Sequence, residues 1–220
     1  MSSLRETLRN NLFIRTLVYR IRTIKEQHSY CSRKSSVSVK GIRINTLIQV
    51  SGICNSVQVM PGAILKRARI FVHGNNNQVI IRQNAYLEGT VLHIEDNGCI
   101  IEIGENTFIG PSHIACTEDG RSIVIGKKCM FSSNINIRTG DSHSILDADG
   151  NRINPGQSVS IGDHVWIGEG AKIMKGVQLH GDTIVASGAI VTHSFPSNVI
   201  LGGNPAKCIK EGVNWDEIRI

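Results

Sequence analysis

Of the side chains able to move a proton near neutral pH, imidazole is the best matched, so the eight histidines are the first place to look. His73, His93, His113, His164 and His180 fall in or beside regularly spaced aliphatic residues and read as structural or solvated. His143 differs. It lies in the polar run Arg138-Thr-Gly-Asp-Ser-His-Ser144, followed by Asp147-Ala-Asp-Gly-Asn-Arg-Ile-Asn154, where the aliphatic spacing of its surroundings stops. Asp141, two residues earlier, is suited either to supporting an imidazole or to forming a turn. Trp166, one of two tryptophans, sits between Val165 and Ile167 at a position that alternation turns outward. The six cysteines (Cys31, Cys54, Cys99, Cys116, Cys129, Cys208) form no C-x-x-C pair and no Cys/His cluster at zinc-ligand spacing. They read as reduced, mostly buried thiols, and no metal is expected.

The elements that must position these residues announce themselves as a repeat. Ile161, Ile167, Ile173, Leu179, Val185 and Val191 recur at every sixth position, and Val165, Ala171, Val177, Thr183 and Ala189 follow at the fifth position of each unit. An even spacing keeps both positions on one face of a strand, so both point inward. Upstream the period is 22: Ile81, Ile103 and Ile125; Leu87, Ile109 and Phe131; His93, Ala115 and Ile137. Each 22 reads as three hexads plus a four-residue turn, with the turns at Gly74–Asn77, Glu95–Gly98 and Glu118–Gly120. With aromatics at only 5% and 22 glycines, a stacked aliphatic solenoid is the natural core for this composition. Between Ile137 and Ile161 the in-phase positions are His143, Asp149 and Pro155, so a loop, 139–158, leaves the solenoid there.

Hexads of the form [Ile/Leu/Val]-Gly-x-x-x-x, together with the loop text and Ile161-Gly-Asp-His-Val-Trp-Ile-Gly168, resemble the hexapeptide-repeat acetyltransferases, and within them the sugar and polysaccharide O-acetyltransferases. The resemblance implies an all-β solenoid, a left-handed parallel β-helix, with acetyl-CoA as cosubstrate and His143 as the base that takes a proton from an acceptor hydroxyl. Asp141 is a candidate partner of that histidine. The resemblance also places Trp166 beside the catalytic groove. Through Val185-Ala-Ser-Gly-Ala-Ile-Val-Thr192 and Gly202-Gly-Asn-Pro-Ala-Lys207, it assigns pantetheine contacts to the amides of Ala186, Ser187 and Thr192, and CoA phosphate contacts to Lys207 and Lys210. His193-Ser194 stands where a Lys-Asp pair is usual in the family, which changes one donor contact at His193. A homotrimer with sites between neighbours is implied, and the acceptor is a bacterial capsule or lipopolysaccharide chain or its sugar precursor. The γ-type carbonic anhydrases share the solenoid, but their set of three zinc-binding histidines is missing from this sequence.

The net charge of +6 is uneven: residues 1–43 hold ten Lys or Arg against Glu6 and Glu26. Leu4, Leu8, Leu12, Val18, Ile21 and Ile24 fall roughly on one stripe, so residues 2–26 read as an amphipathic helix. It either packs on the domain or a partner subunit, or rests on an anionic membrane surface. Nucleic acid is not expected as a partner, since base-reading motifs and stacking aromatics are missing. No apolar stretch has the length of a signal peptide or a span, which predicts a cytoplasmic protein, at the inner face of the membrane if the helix binds there. The expected organisation is a basic helical segment over 1–44, the β-helix over 45–198 and a C-terminal cap over 199–220. Two other activities fit such a scaffold: N-acetylation of an amino sugar or nucleotide-sugar, and a non-enzymatic assembly platform.

Overall fold

The computed structural model describes residues 29–218. The helix expected over 2–26 lies outside them. Twenty-four short strands form three sheets of seven, eight and nine strands, and through Ile190–Val191 the strands of the coils pair with the third one before and after them, whereas Val199–Gly203 adds to Ile184–Val185 and Ala206–Glu211 to Val199–Gly203. The chain therefore winds through seven complete coils of a three-sided prism. Face 1 starts with Ser36–Val39, face 2 with Ile42–Ile44 and face 3 with Leu47–Val50, preceded on face 3 by Ser29–Cys31. The coils thus begin before the aliphatic spacing becomes visible, because Ser36, Ser38 and Lys40 alternate with Val37 and Val39, which are only partly buried. All strand pairs are parallel except the last. There Ala206–Glu211 turns back antiparallel on Val199–Gly203 and closes the end of face 2.

Alternation fills the prism. On face 2 the inward row Leu65, Leu87, Ile109, Phe131, Ile167 and Val185 is at most 1% exposed. The hexad positions of the later coils are all buried, including Thr183. At the start of this row the inner position belongs to Arg43, partner of Leu65 and 7% exposed; its Nη2 donates to the Thr46 carbonyl at 3.0 Å, and burial lowers its pKa. Of the cysteines, Cys99, Cys116 and Cys129 are buried, whereas Cys54 and Cys208 are exposed, so the thiols are less uniformly interior than expected.

Two of the three 22-residue series are neighbours in register: Ile81, Ile103 and Ile125, and Leu87, Ile109 and Phe131. The third is not. His93 and Ala115 pair on the outside of face 3, Ala115 then pairs Arg138, and the inward series is Leu92, Ile114 and Ile137. The corner between faces 2 and 3 takes five residues from Leu87 to Leu92 and from Ile109 to Ile114, but six from Phe131 to Ile137. The early coils are therefore not three hexads plus a turn. They shorten this corner by one and lengthen the corner between faces 3 and 1, where Asn55 and Asn77 stack: the Asn77 amide donates to Asn55 Oδ1 at 2.9 Å and the Cys99 amide to Asn77 Oδ1 at 2.7 Å.

Candidate active site

After the strand Ile135–Arg138 the chain leaves the corner between faces 3 and 1 and returns as Val159–Ile161. Ile125 pairs directly with Ile161, so the sheet closes beneath the excursion. The loop is a small hairpin. Leu146 and Arg152 form an antiparallel bridge, and Asp147 Oδ1 accepts from the Asp149 and Asn151 amides at 3.0 and 2.8 Å, which makes the turn.

Asn154, 8% exposed, holds the backbone at and just after His143 and the Asp141 side chain before it. Its Nδ2 donates to the His143 carbonyl and to Asp141 Oδ2, both at 2.9 Å, while its Oδ1 accepts from the Ile145 amide at 2.7 Å. Lys175, from the next coil at the same corner, bolts this unit to the prism. Its Nζ donates to Asp141 Oδ2 at 2.5 Å and to the Asn154 carbonyl at 3.0 Å. The bond from Lys175, then that from Asn154, holds the Asp141 carboxyl below its ordinary range. Asp141 is therefore committed to Lys175 and Asn154, and among the described residues no hydrogen bond reaches the His143 ring. Its support of the histidine runs through the main chain and not through the imidazole.

A second anchor lies at the loop's base. Glu118 accepts from Arg152 Nη2 and Nη1 at 2.6 and 3.0 Å and from the Gly156 amide at 2.7 Å, and the Arg152 contact leads in depressing its pKa. Gly140 and Gly156, at the two ends of the loop, must be glycine for this: a Cβ on the first would come within 2.9 Å of Glu118 Oε1, and one on the second within 2.8 Å of its carboxyl carbon. The loop overhangs a cleft of about 540 Å³ lined by Glu95, Asp96, Thr117, Glu118, Asp119, Ser142, His143, Ser144 and Arg152. His143 is exposed into solvent there.

The other candidates lie elsewhere on the prism. Trp166 points outward from face 2, 41% exposed, with the tail residue Trp215 at a ring distance of 6.0 Å. Trp215 stacks on His164 at 4.3 Å and its Nε1 donates to the His164 carbonyl at 2.8 Å. The Ala186 amide donates to the Leu201 carbonyl at 2.8 Å and cannot also serve a pantetheine arm, because the strand Val199–Gly203 adds one more ladder rung there. Ser187 and Thr192 sit where no further strand follows, and their amides have no partner among the described residues. The His193 ring lies 4.5 Å from that of Phe195, with Nδ1 3.2 Å from Thr192 Oγ1. Lys207 and Lys210 are exposed on the closing strand of face 2. The structure thus gathers His143, Asp141, Asn154, Lys175, Glu118 and Arg152 at one corner, and sets Trp166, Lys207 and Lys210 on the face opposite it. Asn154, Lys175 and Glu118 have no spacing that marks them in the sequence.

A solved structure of the polysialic acid O-acetyltransferase OatWY superposes on this chain with a TM-score of 0.83. It is 30% identical and covers 88% of this chain and 93% of its own. The chain belongs to the hexapeptide-repeat acetyltransferases. A family model described as bacterial transferase hexapeptide (six repeats) matches residues 158–193 of this hexapeptide-repeat acetyltransferase, the three-hexad coils that follow the loop. The structure of the polySia specific acetyltransferase NeuO aligns with a TM-score of 0.69, at 27% identity, over 85% of this chain and 84% of its own. The polysialic acid O-acetyltransferase of Escherichia coli O1:K1 / APEC is 35% identical over 95 residues, 43% of this chain. The chain spans less than half the length of such curated relatives, 31% for that one and 47% for a Dictyostelium discoideum putative acetyltransferase. Superposition is sensitive to hand, so the left-handed coil expected of the family is the coil of this chain.

Proposed function

We propose that this chain transfers acetyl from acetyl-CoA to a hydroxyl of a cell-surface polysaccharide or its precursor, with His143 as general base. The observation that carries the reading is the clamped His143 over an open cleft, in a chain alike over nearly all its described length to a polysialic acid O-acetyltransferase. Acetyl-CoA supplies an acyl group activated as a thioester. His143 takes the proton of the acceptor hydroxyl as its oxygen bonds to the acyl carbon, the carbon–sulfur bond breaks, and the proton passes to the departing sulfur. Asn154, Asp141 and Lys175 hold the histidine's backbone, so little reorganisation is needed at the moment of transfer. The free amides of Ser187 and Thr192 suit the pantetheine arm, with His193 beside it, and Lys207 and Lys210 suit the CoA phosphates.

Of these donor-side groups, Ser187, Lys207 and Lys210 lie on face 2 and its corner with face 3, away from His143 within one prism, whereas Thr192 and His193 stand above the His143 corner itself. A closed ring resolves this by bringing the His143 corner of one copy to the corner between faces 2 and 3 of the next, where Ser187 lies. Faces 1 and 2 then turn inward. The outward row of face 2 suits burial: Ile64, Tyr86, Phe108, Met130, Trp166 and Ile184 form one apolar ladder, with Tyr86 and Phe108 edge to face at 5.4 Å. A homotrimer is the assembly this reading requires.

The test is calorimetric titration of acetyl-CoA into the full chain, with its native mass measured alongside. One donor site per chain on a trimer, with acetyl transfer to polysialic acid or related glycans lost in His143→Ala, is the expected result. A folded protein that binds no acetyl-CoA overturns it.

A further inference from the structure

Face 3 carries a feature that the reaction as derived does not use. His73, His93 and His113 are spaced by 20 on coils of 22, so each steps two residues sideways relative to the one below and they climb the outside of face 3 as a diagonal. Their rings are close: His73 to His93 is 5.9 Å and nearly perpendicular, and His93 to His113 is 6.4 Å. Phe71 meets the edge of His93 at 6.2 Å. His73 is fixed by Ser51, whose Oγ lies 2.8 Å from Nδ1. His93 Nε2 lies 3.4 Å from Glu95 Oε1, and Glu95 lines the cleft under His143. The middle ring, His93, therefore adjoins the cleft lining through Glu95, while the diagonal climbs from there toward the corner between faces 2 and 3.

Three imidazoles suggest a metal, but these rings follow one another in line and do not converge; among the described residues no three such ligands could share an ion. They are not core either, since the inward positions beside them are Leu92, Ile94 and Ile114. Ring edges and faces with one donor and one acceptor on each neutral imidazole are the surface that a pyranose chain recognises, its C–H face on the rings and its hydroxyls on the nitrogens.

We infer that Phe71, His73, His93 and His113 form an extended subsite on face 3 for the acceptor chain, holding the sugar units that follow the one acetylated in the cleft. This rests on the acetyltransferase reading above, in which the ring of copies leaves face 3 outward. The subsite takes a glycan of several sugar units. A single sugar occupies the cleft alone.

The experiment compares long polysialic acid with short oligosialic acids, and a neutral capsular glycan with its own oligomers, in the wild-type chain, Phe71→Ala and His93→Gln. The quantity read is the ratio of kcat/KM for long over short acceptor. In the wild type the long chain is preferred, and each substitution lowers that preference about three- to tenfold, as the loss of one ring contact would. Both residues are outward-facing, and thermal melting of Phe71→Leu checks that packing on the face is kept. A wild type with no preference for length, or a preference unchanged in both variants, overturns the inference. A wild type that acetylates no glycan of any length instead overturns the acetyltransferase reading, and this shows before any variant is made.

Discussion

Replacing Asn154 by alanine isolates the clamp on His143 from the rest of the protein. The carboxamide fills a donor–acceptor frame around residues 143–145, and its removal strands the Ile145 amide and the His143 carbonyl at a half-exposed site. Each lost partner costs on the order of 1 kcal/mol or more of local order. That cost falls on the hairpin alone, because the sheet already closes beneath it through the pairing of Ile125 with Ile161. Once freed, the histidine need shift only about 1 Å for transfer to slow roughly 100-fold. The assay is release of CoA thiol with a saturating glycan acceptor, read beside a thermal melt and an acetyl-CoA titration. The expected outcome is a kcat reduced about 100-fold, with the KM for acetyl-CoA changed less than about twofold and the melting temperature nearly unchanged. A kcat within about threefold of wild type would refute the reasoning, since the main-chain route to His143 would then not matter. So would a melt lowered by many degrees, which would make Asn154 a fold residue.

Other outcomes follow from the same geometry. His143→Ala should lower kcat by about 10²- to 10⁴-fold with acetyl-CoA affinity kept, measured by calorimetry and thiol release. Asp141 and Glu118 are both depressed in the folded state, so their contribution is complete above the ordinary carboxylate range and fades only as pH falls below about 4. Limited proteolysis should accordingly leave the exposed 145–151 tip equally resistant from pH 7 to pH 5; growing cleavage across that window would contradict the assignment. Leu87→Ala, in the middle of the inward row of face 2, should destabilise by about 2–5 kcal/mol in urea denaturation, because neighbouring coils cannot collapse into the gap.

The aliphatic rows were legible in the sequence because burial in a prism depends on side-chain type at fixed spacing, and Ile161 through Val191 obey it without exception. The His143 loop was legible as the place where that rule stops. The one-residue slip at the third series was not, since Ala115 and Ile114 are both plausible core residues and only the shorter corner decides between them. Asn154, Lys175 and Glu118 were hidden for another reason. Lys175 reaches Asp141 across 34 residues and Glu118 reaches Arg152 across the same separation, and a polar contact that long leaves no periodic trace. Asp141 binds Asn154 and Lys175 and not the imidazole, and the Ala186 amide is taken by a strand that lies beyond the hexads. The histidine staircase did leave a trace, a spacing of 20, which acquires meaning only against a coil of 22.

Arg43 bears on a different matter, the length of the molecule. A parallel solenoid ends in open backbone and an aliphatic stack, and nothing in its repeat forbids a second molecule from continuing the column. Among the described residues the inward row of face 2 begins on a guanidinium, in the place where the coils next above it carry leucine or isoleucine. That cation is already nearly buried, so a layer stacked over it would seal it further and meet a charge where it needs an aliphatic partner. A single inward arginine thus makes the first described layer of face 2 a poor template for a further aliphatic coil.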